Sequence, residues 1–254
     1  MWQTLREELK DKGFELVTVG LDTLGVAGCK TFIDAANPQH PSLIDQHHVM
    51  ADLFGVVNIP SSIWIDEDGM IVRPAEAAPA PPPPPSKAQP EGAGGSNMQV
   101  PSDIPDRLKQ MMTEAAKIPK PGSQTAYHEA LRDWVEKGAD SEFAMSAEKA
   151  IERSRPRDEK TALGHAHFEL ATELEMRGNH DLAIKHFQKA HELVPDSWTF
   201  RRQAWSLEKM GDGPLARFWQ GPNPENPEAW PYEGDWLEDI KREGAENYSE
   251  GFVP

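Results

Sequence analysis

One cysteine, Cys29, stands in 254 residues. That scarcity excludes an internal disulfide and any zinc site built on several cysteines. No apolar run approaches the ~20 residues needed to span a bilayer. The first residues, Met1-Trp2-Gln3-Thr4-Leu5-Arg6-Glu7-Glu8, already read as an amphipathic helix rather than as the apolar core of an export signal. Positive charge is scarce too: 26 Lys and Arg against 42 Asp and Glu leave a formal net charge of −16. Such a surface repels phosphate backbones, so nucleic acid is not an expected partner and a water-soluble chain is. As written, the chain is expected in the cytoplasm, or outside it if the true start lies upstream of Met1.

What is present begins with a patterned N-terminal third. Leu5 and Leu9 lie four apart among charges, a short surface helix over residues 2–12 that Gly13 stops. Phe14-Glu15-Leu16-Val17-Thr18-Val19 is a β-branched apolar run, read as a buried parallel strand. A second helix is predicted over Val26 to Ala36, turn chemistry over Asn37-Pro38-Gln39-His40-Pro41, and a third short helix over His47 to Phe54. Ser62 to Ile65 and Met70 to Val72 form a hairpin across Asp66-Glu67-Asp68-Gly69, with Gly69 supplying the positive φ.

The stretch Phe54 to Val72, with Ile59-Pro60 ahead of a strand and an acidic-Gly turn after it, resembles the second half of a thioredoxin-like domain of the TlpA/ResA and AhpC/TSA-redoxin grouping. The resemblance covers residues 2 to about 73. It implies an α/β sheet, a cis bond at Pro60, and a loop at Ile59 and Pro60 that pairs with an extended substrate. It also implies thiol–disulfide oxidoreductase or peroxide-reducing ancestry, with a Cys-x-x-Cys pair at the start of the first helix. That pair is absent here, as is the family's first strand, which lies between the strand at 14–19 and the hairpin. Without it, two sheet edges would carry unpaired backbone groups. Either the true start lies upstream of Met1, or the half-domain is degenerate and marginally stable.

Ala77 to Asn97 holds five consecutive prolines followed by Gly-Ala-Gly-Gly-Ser-Asn and cannot form a core. It reads as a spacer, polyproline first and flexible after. Beyond it Ile104, Leu108, Met111, Ala115 and Ile118 share one helix face. That helix fits equally as the last of the first domain or the first of the second. Ala126 to Glu136 and Glu142 to Arg153 then form a helical hairpin broken at Gly138. The expected organisation is 1–76 α/β, 77–100 linker, and 101–254 all-helical with an aromatic, Pro-rich cap.

Gly164 to Ser197 resembles one tetratricopeptide repeat, through Leu170, Ala171, Leu174, Gly178, Ala183, Phe187, Ala190 and Pro195. Small Ala171 and Ala183 let two helices approach, Leu174 and Phe187 fill between them, and Pro195 ends the second. Departures are His167 and Leu174, where the family prefers tryptophan and tyrosine. Ala144, Ile151 and Pro156 echo the second half of a repeat upstream, while Gly211-Asp212-Gly213-Pro214 interrupts one downstream. A lone repeat cannot bury its own faces, so neighbours must stack on it. Trp219, Trp230, Tyr232 and Trp236 are expected to cap the helical stack. The repeat implies a protein or peptide partner.

Candidate chemistry is sparse. Cys29 opens the second helix, where a helix N-terminus and Lys30 would lower its pKa and activate it; the alternative is a small buried packer. A lone thiol cannot complete a two-thiol cycle. The nine histidines show no helical i, i+4 pair: His165 and His167 are two apart, His186 and His191 five apart, His47 and His48 adjacent. No metal and no cofactor is expected. Two functions remain: a redoxin whose catalytic segment is missing from this chain, or a non-catalytic adaptor in which both domains bind polypeptide.

Overall fold

A computed structural model describes residues 2–79, 105–119, 124–154, 157–208, 220–248 and 252. Of the linker expected at 77–100, Ala77 ends a strand and residues 80–100 lie outside them, as do Pro156, Gly211-Asp212-Gly213-Pro214 and Trp219. In chain order the elements are α1 (Trp2–Leu9), β1 (Thr18–Leu21), α2 (Val26–Ala36), β2 (Ser42–Asp45), α3 (Val49–Leu53), β3 (Ser61–Ile65) and β4 (Ile71–Ala77). Then come α4 (Asp106–Ala115), α5 (Gln124–Lys137), α6 (Ala147–Arg153), α7 (Glu159–Met176), α8 (His180–Leu193), α9 (Trp198–Ser206) and α10 (Trp236–Glu243). Among the described residues no helix is long and apolar enough to cross a membrane.

The chain folds into two compact units whose segments interleave. The first takes Met1–Pro82, Lys120–Asp158 and Glu250–Pro254; the second takes Pro83–Pro119 and Glu159–Ser249. This differs from a single break at the Pro-rich segment. The helix α5, expected to open the helical domain, joins the first unit because Tyr127, Ala130 and Leu131 bury against Leu5, Leu9, Trp64 and Phe252. The helix α4, left open by the sequence, joins the second: Met111 enters that core, Arg107 pairs with Asp235 at 2.8 Å, and Gln110 accepts from Lys241.

In the first unit β1 and β2 pair in parallel, Thr18 opposite Ser42 through Leu21 opposite Asp45. The strands β3 and β4 form a separate antiparallel hairpin. The strand expected at 14–19 starts later, at Thr18, and β2 was not foreseen: Leu43-Ile44 is too short a run to carry a period. The hairpin turn closes as its sequence dictates. Asp66 Oδ1 accepts from the Asp68 and Met70 backbone N–H groups, and Gly69 takes φ +80°. Asp45 caps α3 from outside the helix, accepting from the Val49 and Met50 N–H groups. Residues 142–146, expected to be helical, are not; Met145 N–H donates to Val72 O at 2.9 Å and so occupies part of the outer edge of β4.

The core of this unit is the hairpin, α1 and α5, centred on Tyr127, which is 1% exposed. Its hydroxyl accepts from Trp64 Nε1 at 2.7 Å and lies 2.6 Å from Ser62 Oγ. Beside it Arg73 is fully buried, held bidentate by Glu76 at 2.7 and 3.0 Å and donating to Phe143 O. The parallel pair is different. Apolar residues on or beside β1, α2, β2 and α3 (Val17, Val26, Phe32, Leu43, Val49 and Leu53) remain exposed. Parallel strands are ordinarily covered on both faces.

The second unit is built on the antiparallel hairpin of α7 and α8. Ala171, Ala183 and Ala190 are wholly buried between Phe168 and Phe187. Gly164 lets the helices close at their far end: a Cβ there would collide with Val194 Cγ2 and lie 3.1 Å from Leu193 Cβ. Gly178, at φ +76°, turns the chain, and Asn179 N–H bonds back to Leu174 O. Phe200 of α9 stacks on Phe168 at 4.0 Å, and Trp236 and Ile240 of α10 complete the core.

Two substitutions test this packing. Tyr127→Phe removes the acceptor of the buried Trp64 indole N–H and is expected to cost about 1–3 kcal/mol in chemical denaturation. Gly164→Ala forces α7 from α8 and is expected to cost about 1–3 kcal/mol by overpacking. An unchanged midpoint in either variant contradicts the geometry described.

Candidate functional site

The loop before β3 carries the first candidate residues. The Ile59–Pro60 bond is cis. Asn58 is buried and organises the loop: its Oδ1 accepts from Ile59 N–H at 2.9 Å and its carbonyl from Ser61 Oγ at 2.6 Å. Pro60 O accepts from Ala78 N–H, closing the hairpin's open end. Ile59 and Pro60 are both exposed, but the Ile59 N–H is already taken by its neighbour's side chain.

Cys29 lies inside the first turn of α2, buried, with its Sγ against Gly20: a Cβ at Gly20 would sit 3.0 Å from it. The turn ahead of α2 is built by Asp22, whose Oδ1 accepts from Leu24 N–H and whose carboxylate packs on Gly28. That carboxylate faces the thiol. Burial first, and the Asp22 charge second, push the Cys29 pKa above its ordinary value. Lys30 turns away and pairs with Asp34 at 2.7 Å. Geometry therefore gives the packer rather than the activated thiol.

In the helical hairpin Leu170, Ala171, Leu174, Gly178, Ala183, Phe187, Ala190 and Pro195 occupy the hairpin and its two ends. Leu170 departs from the interior set: it is 44% exposed. With Leu163 it lies on one face of α7, and Leu182 is exposed on α8. His167 and His186 fall between them, with their Nδ1 atoms 2.8 Å apart. Spacing within one helix could not reveal this pair; the antiparallel register about Gly178 could have. Trp230, Tyr232 and Trp236 pack into or against the core.

Two more polar clusters were invisible in sequence. His180 is bracketed by Glu175 at 2.7 Å and Glu208 at 3.4 Å, and Glu208 accepts from Tyr232. The hydrogen bond that His180 donates to Glu175 leads in raising the His180 pKa, while burial raises those of Glu208 and Tyr232. His191 packs half-buried against Trp205 and Tyr232, and burial with the Arg201 charge lowers it to about 3. Among the described residues no group of three or more His, Cys, Asp or Glu side chains is disposed to hold a metal ion. Compared with models of protein families, with curated proteins and with solved structures, the chain finds no match.

The thiol assignment has a direct readout. Cys29 in the native protein at pH 7 is expected to react with a disulfide reagent at least tenfold more slowly than free cysteine, and to reach the free rate in denaturant. Native labelling faster than free cysteine would contradict it.

Proposed function

We propose that this protein is a non-catalytic polypeptide-binding adaptor, in which a thioredoxin-like unit without thiol chemistry is joined to a tetratricopeptide-like helical unit. The observation that carries the reading is Cys29. The chain's sole thiol is buried beside a carboxylate and held protonated, the reverse of what disulfide exchange requires. What remains available for function is surface. Val17, just ahead of β1, and Leu43 of β2 are exposed, and the α7–α8 hairpin exposes Leu163, Leu170 and Leu182. Exposed apolar residues gathered on regular elements are the currency of peptide docking, in a groove or along a strand edge. The charge of −16 adds a preference for basic flanks on the partner.

A second reading, a thiol–disulfide oxidoreductase, is favoured by element order: a parallel β–α–β unit, then Ile59-Pro60 and an antiparallel hairpin. It needs a thiol pair that none of the 254 residues supplies.

The readings separate experimentally. Residues 1–254 are expected to reduce insulin with dithiothreitol no faster than the reagent alone; activity abolished by Cys29→Ser would overturn the adaptor. Peptides selected from a random library on the purified protein are expected to bind at least tenfold more weakly to a Leu163→Lys, Leu170→Lys variant or to a Val17→Lys, Leu43→Lys variant. Binders indifferent to both variants, with the melting temperature unchanged, would remove the surfaces named here.

A further inference from the structure

The contact between His167 on α7 and His186 on α8 has one feature that fixes its chemistry. The ring planes are inclined by only 28°, yet the ring centroids are 5.0 Å apart while the Nδ1 atoms are 2.8 Å apart. The centroid separation exceeds the nitrogen separation by roughly two ring radii, so the imidazoles meet edge to edge, each Nδ1 aimed at the other. At that distance one nitrogen donates and the other accepts. A neutral imidazole offers one donor and one acceptor, but an imidazolium offers two donors and no acceptor. The contact therefore exists with neither ring charged or with one ring charged, and not with both.

We propose that His167 and His186 form a proton-sharing latch between α7 and α8, closed near neutral pH and opened when acidification loads both rings. The surroundings sharpen it. Lys189, three residues beyond His186 on the same helix, is the other charge acting on His167; it is paired at 2.8 Å with Glu192. Burial leads and these cationic neighbours follow in lowering the His167 pKa. Among the other charged groups of this unit, His165 faces Phe200 of α9, His191 faces Trp205 and Tyr232, and Arg201 of α9 is engaged by Asp239 and Glu243 of α10. The in-line aim of the two nitrogens and the adjacent Lys189 both argue against a cation held between the rings.

The sign follows from proton counting. The folded pair holds at most one extra proton, and two unfolded histidines hold two at low pH. Stability from the latch is therefore present above the ordinary histidine range, near pH 6.5, and is lost as pH falls below it. Each pH unit in that range shifts the folding equilibrium by about tenfold for the one proton excluded. Opening would loosen the face that carries Leu163, Leu170 and Leu182, but the latch holds whether or not that face binds a peptide.

Histidine ring nitrogens followed by NMR from pH 8 to pH 4.5 test the proposal. In the wild type His167 is expected to titrate in two coupled steps, the second at least tenfold weaker in proton affinity than an ordinary histidine. In His186→Gln, where the amide can still bond but cannot titrate, His167 is expected to titrate in a single step at higher pH than the second step of the wild type, still lowered by its burial and by Lys189. Independent, ordinary titrations of both rings in the wild type would overturn the latch, as would a His167 unmoved by His186→Gln. Acid-dependence of the urea midpoint, flatter in either Gln variant than in the wild type, reports the same proton without relying on assignment. His191 is common to all three proteins and cancels in that comparison.

Discussion

The first unit depends on one side chain, Trp64. Its indole N–H donates to Tyr127, its ring stacks on Trp134 at 5.1 Å, and Arg73 lies over it at 5.3 Å. Through those contacts a residue near the end of β3 ties the hairpin to α5, a helix some sixty residues away, and to the buried Arg73–Glu76 pair. The pair itself could not stand in isolation, since two desolvated charges repay their burial only with further bonds. Here the guanidinium also donates to Phe143 O and lies over Phe252, and Glu76 is reached by Arg153. Aromatic faces and carbonyl oxygens make the ion pair tolerable, and Trp64 supplies the wall that all of them share.

That concentration explains an imbalance. Apolar burial in the first unit is spent on the hairpin, α1 and α5, while β1, β2, α2 and α3 contribute Cys29 and Ala51 as their buried apolar residues. Two parallel strands of four residues cannot make a two-sided core from one helix packed beside them. The local pieces are nevertheless well specified. Asp22 builds the turn into α2, and Asp45 satisfies the first N–H groups of α3. Local order without a shared core leaves those apolar side chains at the surface.

Legibility in the sequence followed the range of the interactions. The helices α2 and α8, the hairpin turn at Asp66 to Gly69 and the close approach at Ala171 and Ala183 depend on neighbours within a few residues or on small side chains at helical spacing, and were readable. The assignment of α4 and α5 to different units was not, because it turns on Met111 meeting one aromatic cluster and Tyr127 another. Nor was the environment of Cys29. A helix start and an adjacent lysine suggest activation; the deciding group is Asp22, seven residues back, brought alongside by the turn it builds. The histidines show the same limit, since a search within single helices passes over a pair joined across a hairpin.

The second unit places three histidine environments of different sign on or beside one hairpin. His180, between two carboxylates, is stabilised in its charged form, and its contribution is lost as pH rises through its raised pKa. His191, packed against aromatic rings, is stabilised neutral, and its contribution is lost as pH falls from the ordinary histidine range towards about 3. The His167–His186 contact excludes a second proton by geometry. The turn between the helices is thus strengthened by acid while their middle and far end are weakened by it. A hairpin wired this way does not melt uniformly on acidification. On that proposal, acid is expected to weaken the pairing of α7 with α8 where His167 meets His186, while the charged His180 still favours the Gly178 turn.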